Sequence, residues 1–237
     1  MFKPVKIVLV GCGGIGSWVS GPLMRFLNAE RYTAEIHVWD GDRYALSNQT
    51  RQEFAAQDLG LNKAEALVQA VQANYRGLRL VAHPEFIVPD NVREAISERS
   101  IILSAVDNHP ARALIEKQAL GLNHIAVLSA GNERYDGNVH VLLRKNARNL
   151  TEPLLTRHPE IARMKSGDRA SMGCEDLIEE GQTQLLVTNF VAAAALMTAF
   201  YQLWTLGHSS GHRRIGKLPQ EIFFDVSAPS MSMVPAP

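Results

Sequence analysis

The amino-acid sequence predicts an α/β fold with a mostly parallel sheet, late antiparallel strands and a long buried helix near the C-terminus. In the first half of the chain, short apolar runs alternate with helical patterns, which is typical of consecutive βα units. A glycine-rich turn, residues 11–16, joins the first apolar run to the first helical pattern. Residues 183–207 contain no charged side chain, which favours one long apolar helix.

The elements follow in order along the chain. Apolar runs that favour β-structure predict strands at residues 5–10, 35–39, 79–82, 101–106, 125–130 and 138–143. Helical patterns predict helices from the glycine turn to about residue 27, and at 63–74, 92–99 and 110–120. Asn62 is an N-cap candidate for the second of these helices, and Pro110 occupies the first turn of the last. Pro22 predicts a kink in the first helix.

The second half of the chain is less regular. Residues 144–173 are basic and lack apolar periodicity, so we expect a long mobile or crossover loop. Residues 185–206 are long enough to span a bilayer, but polar interruptions such as Asn189 and Gln202 favour a core or dimer-interface helix. A last strand is predicted at 221–226, followed by a proline-containing tail. We therefore expect a single domain, with residues 1–143 as its nucleotide-binding core and 144–237 completing it through the loop, the helix and the last strand.

Composition excludes several classes of protein. The 237 residues include 24 Lys and Arg against 24 Asp and Glu, so a strongly basic nucleic-acid coat and a polybasic membrane-surface protein are both poor interpretations. The two cysteines, Cys12 and Cys174, cannot build a disulfide scaffold or a four-cysteine zinc site. We expect a cytoplasmic protein, without a signal peptide, that binds neither nucleic acid nor membrane.

The glycine turn predicts a phosphate-binding site. Gly11, Gly13 and Gly16 form a G-x-G-x-x-G pattern between a strand and a helix, where backbone N–H groups can meet phosphate oxygens. Asp40 ends the second strand, near the position where a carboxylate would accept hydrogen bonds from ribose hydroxyls in a Rossmann-like fold. Two other interpretations stay open, because Asp40 could cap the turn after its strand and the glycine turn could bind nothing.

A set of polar side chains follows the predicted strands at the same edge of the sheet. The set consists of Asn48, Arg51, Gln52, Lys63 and Asp107. Hydride transfer needs no such Arg and Lys pair, whereas cleavage of a triphosphate does, because negative charge builds on the α-phosphoryl oxygens and on the departing pyrophosphate. The alternatives are solvated surface charges at Arg51 and Lys63 and, at Asp107 with Asn108, an N-cap for the next helix.

These motifs give the chain a family resemblance. Residues 11–16, Asp40-Gly41-Asp42, residues 46–52, Gly60-Leu61-Asn62-Lys63 and Val106-Asp107-Asn108 resemble the adenylate-forming domain of the ThiF/MoeB/HesA family, which includes the ubiquitin-activating enzymes. Within this family we expect a resemblance to bacterial PRTRC-type ThiF-like proteins, which share the GCGG turn, a Leu-Asn-Lys segment and a late cysteine before an apolar helix. The resemblance covers residues 5–143 and, more loosely, the late apolar helix.

The resemblance implies an ATP-dependent adenylyltransferase and a role for each motif. Gly11, Gly13 and Gly16 would line the ATP phosphates, Asp40 would hold the ribose, and Asp42 would be a further cofactor-binding residue. Asn48, Arg51, Gln52 and Lys63 would bind the phosphates, while Asp107 would position Mg²⁺ and support attack by a carboxylate on the α-phosphorus. The substrate would be the C-terminal carboxylate of a small ubiquitin-like or sulfur-carrier protein, converted to an acyl-adenylate. A homodimer through the apolar helix is also expected.

Cys174 has two interpretations. It lies shortly before the apolar helix, where some members of the family carry the thiol that accepts the activated acyl group, but a lone cysteine also serves as a small buried apolar residue. We expect Cys12, inside the glycine turn, to have a steric role. The sequence lacks the Cys-x-x-Cys zinc pairs of many members, and the short segment before the first strand leaves Arg25, Arg43 or an arginine of 144–169 to replace a partner-supplied arginine.

Two rival functions remain on sequence grounds. The first is an NAD(P)-dependent oxidoreductase, because all dinucleotide-binding folds share the glycine turn and the acidic strand end. The second is a non-catalytic nucleotide-binding scaffold subunit that keeps the fold without the reaction.

Overall fold

The structure is a computed structural model that describes residues 4–163, 186–208 and 217–237. Over these residues, nine strands form one sheet in the order β3-β2-β1-β4-β5-β6-β8-β9, with β7 paired to β6. The strands are β1 (Lys6–Val10), β2 (Glu35–Trp39), β3 (Arg79–His83), β4 (Ser100–Ser104), β5 (Ile125–Asn132), β6 (Asp136–Lys145), β7 (Arg148–Asn149), β8 (Pro219–Asp225) and β9 (Ser230–Pro235).

The sheet is parallel in its first half and antiparallel in its second. Strands β1 to β5 run parallel, whereas β6 to β9 pair antiparallel. The central strands β1 and β4 are buried on both faces, which explains their continuous apolar sequences. The predicted fold class is confirmed. Because β1, β2 and β4 are parallel neighbours, the segments that follow them meet at one edge of the sheet.

Helices cover both faces of the sheet. They are α1 (Gly14–Ala29), α2 (Lys63–Asn74), α3 (Val92–Ala95), α4 (His109–Leu120), α5 (Leu154–Arg157), α6 (Pro159–Arg163) and α7 (Leu186–His208). Asn62 caps α2 as predicted, since its Oδ1 accepts hydrogen bonds from the N–H groups of Ala64 and Glu65. Helix α1 continues across Pro22 to Ala29, two residues beyond the predicted end.

Helix α7 completes the core from the C-terminal part of the chain. It packs against α1, β5 and β6, and its buried face contributes Ala192, Leu196 and Phe200 to the same apolar cluster as β1. By length and composition α7 could cross a membrane, but half of its most apolar window is buried within the fold. Most of its exposed large apolar side chains, Leu186, Val187, Phe190 and Tyr201, lie on the opposite face.

Three predicted segments differ from the structure. The helix predicted over 92–99 ends at Ala95, because Ile96 leaves the helical conformation and is fully buried. The described part of the predicted loop, residues 144–163, contains β7, α5 and α6. The buried carboxylate of Glu116 accepts hydrogen bonds from Leu154 N and Leu155 N, and so caps α5. The predicted tail is strand β9, which pairs with β8. Polar anchors and strand pairing, which periodicity does not detect, order these segments.

Candidate active site

A cavity of about 660 Å³ opens at the carboxyl ends of β1, β2 and β4. Eight of the side chains and glycines predicted for the site line it: Gly11, Gly13, Asp40, Asp42, Arg51, Gln52, Lys63 and Asp107. Gly16 and Asn48, which were predicted to contact phosphates, are not among the lining residues. The structure therefore brings most of the predicted residues together around one concave surface, where open α/β sheets bind ligands.

A side chain at Gly11, Gly13 or Gly16 would meet different surroundings at each position. Gly11 has φ +89°, and a Cβ there would lie 2.8 Å from Ala105 O. A Cβ on Gly16 would overlap the carbonyl oxygen of Gly11, so this glycine lets α1 pack against the turn and does not line the cavity. A Cβ on Gly13 would meet nothing closer than Gln52 Nε2 at 3.9 Å. The space above Gly13 is therefore open to a ligand.

Asp40 ties the glycine turn to the second strand. Its Oδ2 accepts a hydrogen bond from Cys12 N at 2.5 Å, and its Oδ1 accepts one from Asp42 N at 2.8 Å. Burial raises the pKa of Asp40 to about 6, against the opposing effect of these hydrogen bonds and of the Lys63 charge. Asp40 thus caps its turn, as the simpler interpretation expected, and also lines the cavity.

Arg51 and Lys63 are buried cations, so the interpretation as solvated surface charges is wrong. Their residues are 2% and 1% exposed. Lys63 Nζ lies 3.1 Å from Asp42 Oδ2, and Lys63 N donates to Asp42 O. The carbonyl of Arg51 accepts hydrogen bonds from Trp18 Nε1 at 3.2 Å and from Asn189 Nδ2 at 3.5 Å. These contacts hold the ammonium group of Lys63 and the backbone of Arg51 beside the glycine turn.

Asn48 is fully buried below the cavity. Its Oδ1 accepts a hydrogen bond from Ala45 N at 2.9 Å, and its carbonyl accepts from Arg51 N and Gln52 N. Asn48 therefore shapes the loop that presents Arg51 and Gln52 to the cavity. Its role as a direct phosphate ligand stays a prediction.

Asp107 and Asn108 have separate places after β4. Asp107 is exposed and lines the cavity, whereas Asn108 Oδ1 accepts a hydrogen bond from Ala111 N and caps α4. The N-cap role that sequence reasoning considered for this pair therefore belongs to Asn108 alone, and Asp107 is left facing the cavity.

Sequence reasoning missed several residues of the cavity wall. Arg112 and Asn132 line it on the β4 and β5 side, and Phe86, Val88 and Pro89 line it after β3. The signal for Arg112 was its position in the first turn of a helix that follows a site strand. Arg25 and Arg43, the candidates for a replacement arginine, are exposed and do not line the cavity.

The sequence profile of the ThiF family matches residues 2–234, nearly the whole chain. The chain belongs to the ThiF family.

Individual relatives match only part of the chain, at about 30% sequence identity. The tRNA threonylcarbamoyladenosine dehydratase of Escherichia coli is 32% identical over 118 residues, covering 48% of this chain and 42% of the relative. The sulfur carrier protein adenylyltransferase of Thermus thermophilus is 30% identical over 140 residues, covering 59% of this chain and 49% of the relative. The chain thus spans about half the length of these relatives.

Solved structures show the same fold. Escherichia coli MccB with MccA-N7isoASN superposes with a TM-score of 0.72 at 18% identity, covering 98% of this chain and 64% of that chain. The structure of MccB with ATP gives a TM-score of 0.70, also at 18% identity, covering 99% of this chain and 64% of that chain. The similarity to the PRTRC-type subgroup of the ThiF family stays a prediction.

Of the two cysteines of this ThiF family member, the structure describes Cys12. Cys12 is buried, and burial, followed by the nearby Asp40 carboxylate, raises the pKa of its thiol well above the usual value, which fits a steric role. Cys174 lies outside the described residues.

Proposed function

We propose that this chain is an ATP-dependent adenylyltransferase that activates the C-terminal carboxylate of a small ubiquitin-like or sulfur-carrier protein. The observation that carries the proposal is the pair of buried cations, Arg51 and Lys63, beside an open glycine turn in a single cavity. Membership of the ThiF family supports it, as do relatives named as a sulfur carrier protein adenylyltransferase and as a NEDD8-activating enzyme subunit.

The cavity has the features that ATP requires. The absent Cβ of Gly13 leaves room for phosphate oxygens close to backbone, and α1 begins at the next residue. Gln52 lies over this glycine, and its Oε1 is buried with no hydrogen-bond partner among the described residues. Asp40 and Asp42 follow β2 at the position for a ribose, and Phe86, Val88 and Pro89 offer an apolar wall for a base.

The reaction builds negative charge on the departing pyrophosphate, and the buried cations of the cavity can stabilise it. A carboxylate oxygen attacks the α-phosphorus, the bond from that phosphorus to the oxygen bridging to the β-phosphate breaks, and pyrophosphate leaves with the bonding electron pair. No proton transfer is needed. Arg51 and Lys63 would stabilise the charge that grows on the departing pyrophosphate, a stronger effect in a buried site than in water. An NAD(P)-dependent oxidoreductase has no such leaving group to stabilise.

The carboxylates at the cavity fit a magnesium ion that also takes phosphate oxygens as ligands. Among the described residues no cluster of three or more His, Cys, Asp or Glu is arranged to hold a metal by itself. Mg²⁺ bound with ATP usually needs only one or two protein carboxylates, and Asp107, which is exposed and lines the cavity, would be one of them. When bound, the ion would neutralise phosphate charge.

The assay that tests this proposal is ATP–pyrophosphate exchange. The purified chain is mixed with ATP, Mg²⁺, labelled pyrophosphate and candidate small proteins ending in Gly-Gly encoded by neighbouring genes. We expect carrier-dependent exchange that falls by about a hundredfold or more in Arg51→Ala and in Asp107→Ala. Arg93→Ala, at an exposed arginine of α3 that lies outside the cavity wall, is the matched control and should keep the wild-type rate.

The same assay separates the other functions. Exchange that survives the double variant Arg51→Ala and Asp107→Ala would refute the assignment of the site. Absence of exchange together with NAD(P) binding would favour the oxidoreductase, and nucleotide binding with no reaction would favour the scaffold subunit. Total tRNA is tested as an alternative substrate in the same exchange assay, because one relative is named as a tRNA threonylcarbamoyladenosine dehydratase. Exchange with tRNA alone would overturn the protein substrate.

Three finer features belong to the same proposal. The exposed apolar face of α7 would join two copies as a homodimer, so Phe190→Asp should yield a monomer by light scattering. Cys174 would accept the acyl group as a thioester, so a reducible adduct should form and be absent in Cys174→Ser while exchange persists. The working compartment would be the cytoplasm.

A further inference from the structure

A third cation of the cavity, Arg112, is held in place by the start of α4. Asn108 caps this helix and Pro110 occupies its first turn, which sets the direction in which Arg112 leaves the backbone. Two of the guanidinium N–H donors, on Nε and Nη2, point to Val106 O at 3.2 and 3.1 Å. Val106 immediately precedes Asp107, so the charge of Arg112 lies beside the acid predicted to position Mg²⁺.

The end of β5 makes room for the guanidinium. A Cβ on Gly131 would overlap Nη1 and Nη2 of Arg112, so a side chain at this position would displace the charge. The next residue, Asn132, lines the cavity and donates from Nδ2 to Asn189 Oδ1 at 2.9 Å. Arg112 is therefore seated between the carboxyl ends of β4 and β5 and forms part of the cavity wall.

The topology separates Arg112 from the other two cations. In the sheet order, the loop that carries Arg51 follows β2 and lies on one side of the glycine turn after β1, whereas Arg112 follows β4 on the other side. Arg51 and Lys63 together match the phosphates of a nucleotide that lies from β1 toward β2. Arg112 lies on the side from which a second anion would approach, past β4 and β5.

Adenylation of a carboxylate needs such a second cation. The attacking carboxylate and the α-phosphoryl group both carry negative charge, so they repel each other as they approach. A guanidinium binds a carboxylate through two parallel N–H···O bonds, which favours Arg over Lys at this place. A cation on the side opposite the leaving pyrophosphate offsets the repulsion without holding the leaving group.

We propose that Arg112 binds the C-terminal carboxylate of the polypeptide substrate and presents it to the α-phosphorus. This inference rests on the proposed function and adds to it a binding site for the acyl donor, at the β4 and β5 side of the cavity. The ligand is a polypeptide that ends in a free carboxylate. A peptide of the same sequence with a C-terminal amide lacks the group that Arg112 recognises.

The test compares two synthetic peptides of about twelve residues ending in Gly-Gly, one with a free carboxylate and one with a C-terminal amide. Their dissociation constants are measured by titration calorimetry with the whole chain and a non-hydrolysable ATP analogue. We expect the wild type to bind the acid about tenfold or more tightly than the amide, as for a charge-assisted hydrogen bond. Arg112→Gln should remove this preference and leave the affinity for the ATP analogue within about twofold.

Two further variants make the result specific. Arg112→Lys keeps the charge without the paired N–H geometry and should retain only part of the preference. Arg93→Gln removes an exposed arginine of α3 that lies outside the cavity wall, and should behave as the wild type. If Arg112 had only a structural role, its replacement would lower the affinity for both peptides and for the ATP analogue by similar factors. The ratio of the acid and amide affinities would then stay at the wild-type value.

The outcomes separate this inference from the proposed function. Equal affinities of the wild type for acid and amide, including no binding of either at millimolar peptide, would overturn the inference. So would an acid preference that persists in Arg112→Gln. Absence of pyrophosphate exchange in a wild type that does prefer the acid would instead overturn adenylation and leave the carboxylate site in place.

Discussion

The ion pairs Lys63–Asp42 and Arg157–Glu221 each contain a buried side chain, but their surroundings differ. Lys63 pairs with Asp42 at the cavity, and the Asp42 side chain is 39% exposed. Arg157 pairs with Glu221 at the antiparallel end of the sheet, and the Glu221 side chain is completely buried. Glu221 also accepts hydrogen bonds from Asn138 Nδ2 and His158 Nε2. Burial alone would raise the pKa of Glu221, but these three partners outweigh it and the pKa is lowered.

The difference shows what distinguishes a binding site from a structural network. At Glu221 the partners come from β6, α5 and the residue after α5, so the charge is satisfied within the protein and fastens the 152–163 segment to the sheet. At Lys63 the cation is buried while its anion remains in contact with solvent at the mouth of a cavity. An incoming anion can therefore compete with Asp42 for Lys63, whereas Glu221, itself a buried anion with three partners, offers an incoming anion no binding place.

The largest expected effect comes from replacing Lys63 with methionine. We expect Lys63→Met to lower the rate of pyrophosphate exchange by about a hundredfold to a thousandfold, because one charge stabilising the departing pyrophosphate is lost. The free energy of unfolding, measured in urea, should change little, since Asp42 can be solvated once its partner is gone. A loss of exchange matched by an equal loss of folded protein would contradict this assignment.

The matched change at the other ion pair is Arg157→Met. Here we expect the free energy of unfolding to fall by about 2–4 kcal/mol, because a fully buried carboxylate loses a charged partner. Exchange per folded molecule should stay at the wild-type rate. If Arg157→Met affected exchange and Lys63→Met affected only stability, the distinction between the two pairs would be reversed.

The glycine turn offers a second matched pair. Gly16→Ala places a methyl group against the carbonyl of Gly11 and should cost about 1–3 kcal/mol of stability. Gly13→Ala meets no protein atom closer than 3.9 Å, so the protein should remain as stable as the wild type while the KM for ATP rises about tenfold. Thermal unfolding and exchange kinetics on both variants test this. An unchanged KM in Gly13→Ala would mean that no ligand occupies the space above the turn.

The smallest expected effect is a dependence of stability on pH at the antiparallel end. Burial lowers the pKa of His140 to about 4, so the folded protein keeps this imidazole neutral. The unfolded chain binds a proton below about pH 6.5, and stability is therefore lost as the pH falls from there toward 4. Between about pH 7 and pH 5.5, the wild type should lose roughly 1 kcal/mol more than His140→Gln.

The difference between the stability losses of the wild type and of His140→Gln isolates the contribution of His140. Asp40 works in the opposite direction, because its raised pKa makes the folded state bind a proton more readily than the unfolded state between about pH 4 and pH 6. That contribution is common to both proteins and cancels in the difference. Equal losses in the wild type and in His140→Gln would show that His140 is not kept neutral by the fold.

The fold and most of the site could be predicted because each rests on local signals. Continuous apolar runs identified the central strands, and the strand–glycine turn–helix context located the cavity. The same parallel topology predicted that residues after β2 and β4, distant in sequence, would meet at one edge, and Asp40, Arg51 and Asp107 do line one cavity.

What could not be predicted depends on contacts between distant residues. Gly16 and Asn48 lie outside the cavity wall, because Gly16 packs on the carbonyl of Gly11 and Asn48 accepts a hydrogen bond from Ala45 N. The order of residues 144–163 depends on buried carboxylates supplied by α4 and β8. Arg112 has no periodic or compositional signature, and it is held in the wall by hydrogen bonds to Val106 O and by the room that Gly131 leaves.

The contact of Asn189 with the glycine turn has a consequence for protein synthesis. Asn189, in the first turn of α7, fills the space over Gly14 and reaches the carbonyl of Arg51. The glycine turn leaves the ribosome long before this asparagine does, so the emerging polypeptide lacks this support of the turn until α7 has been synthesised. A nascent chain cut short before α7 would therefore lack the packing that holds Gly14 and the Arg51 loop together.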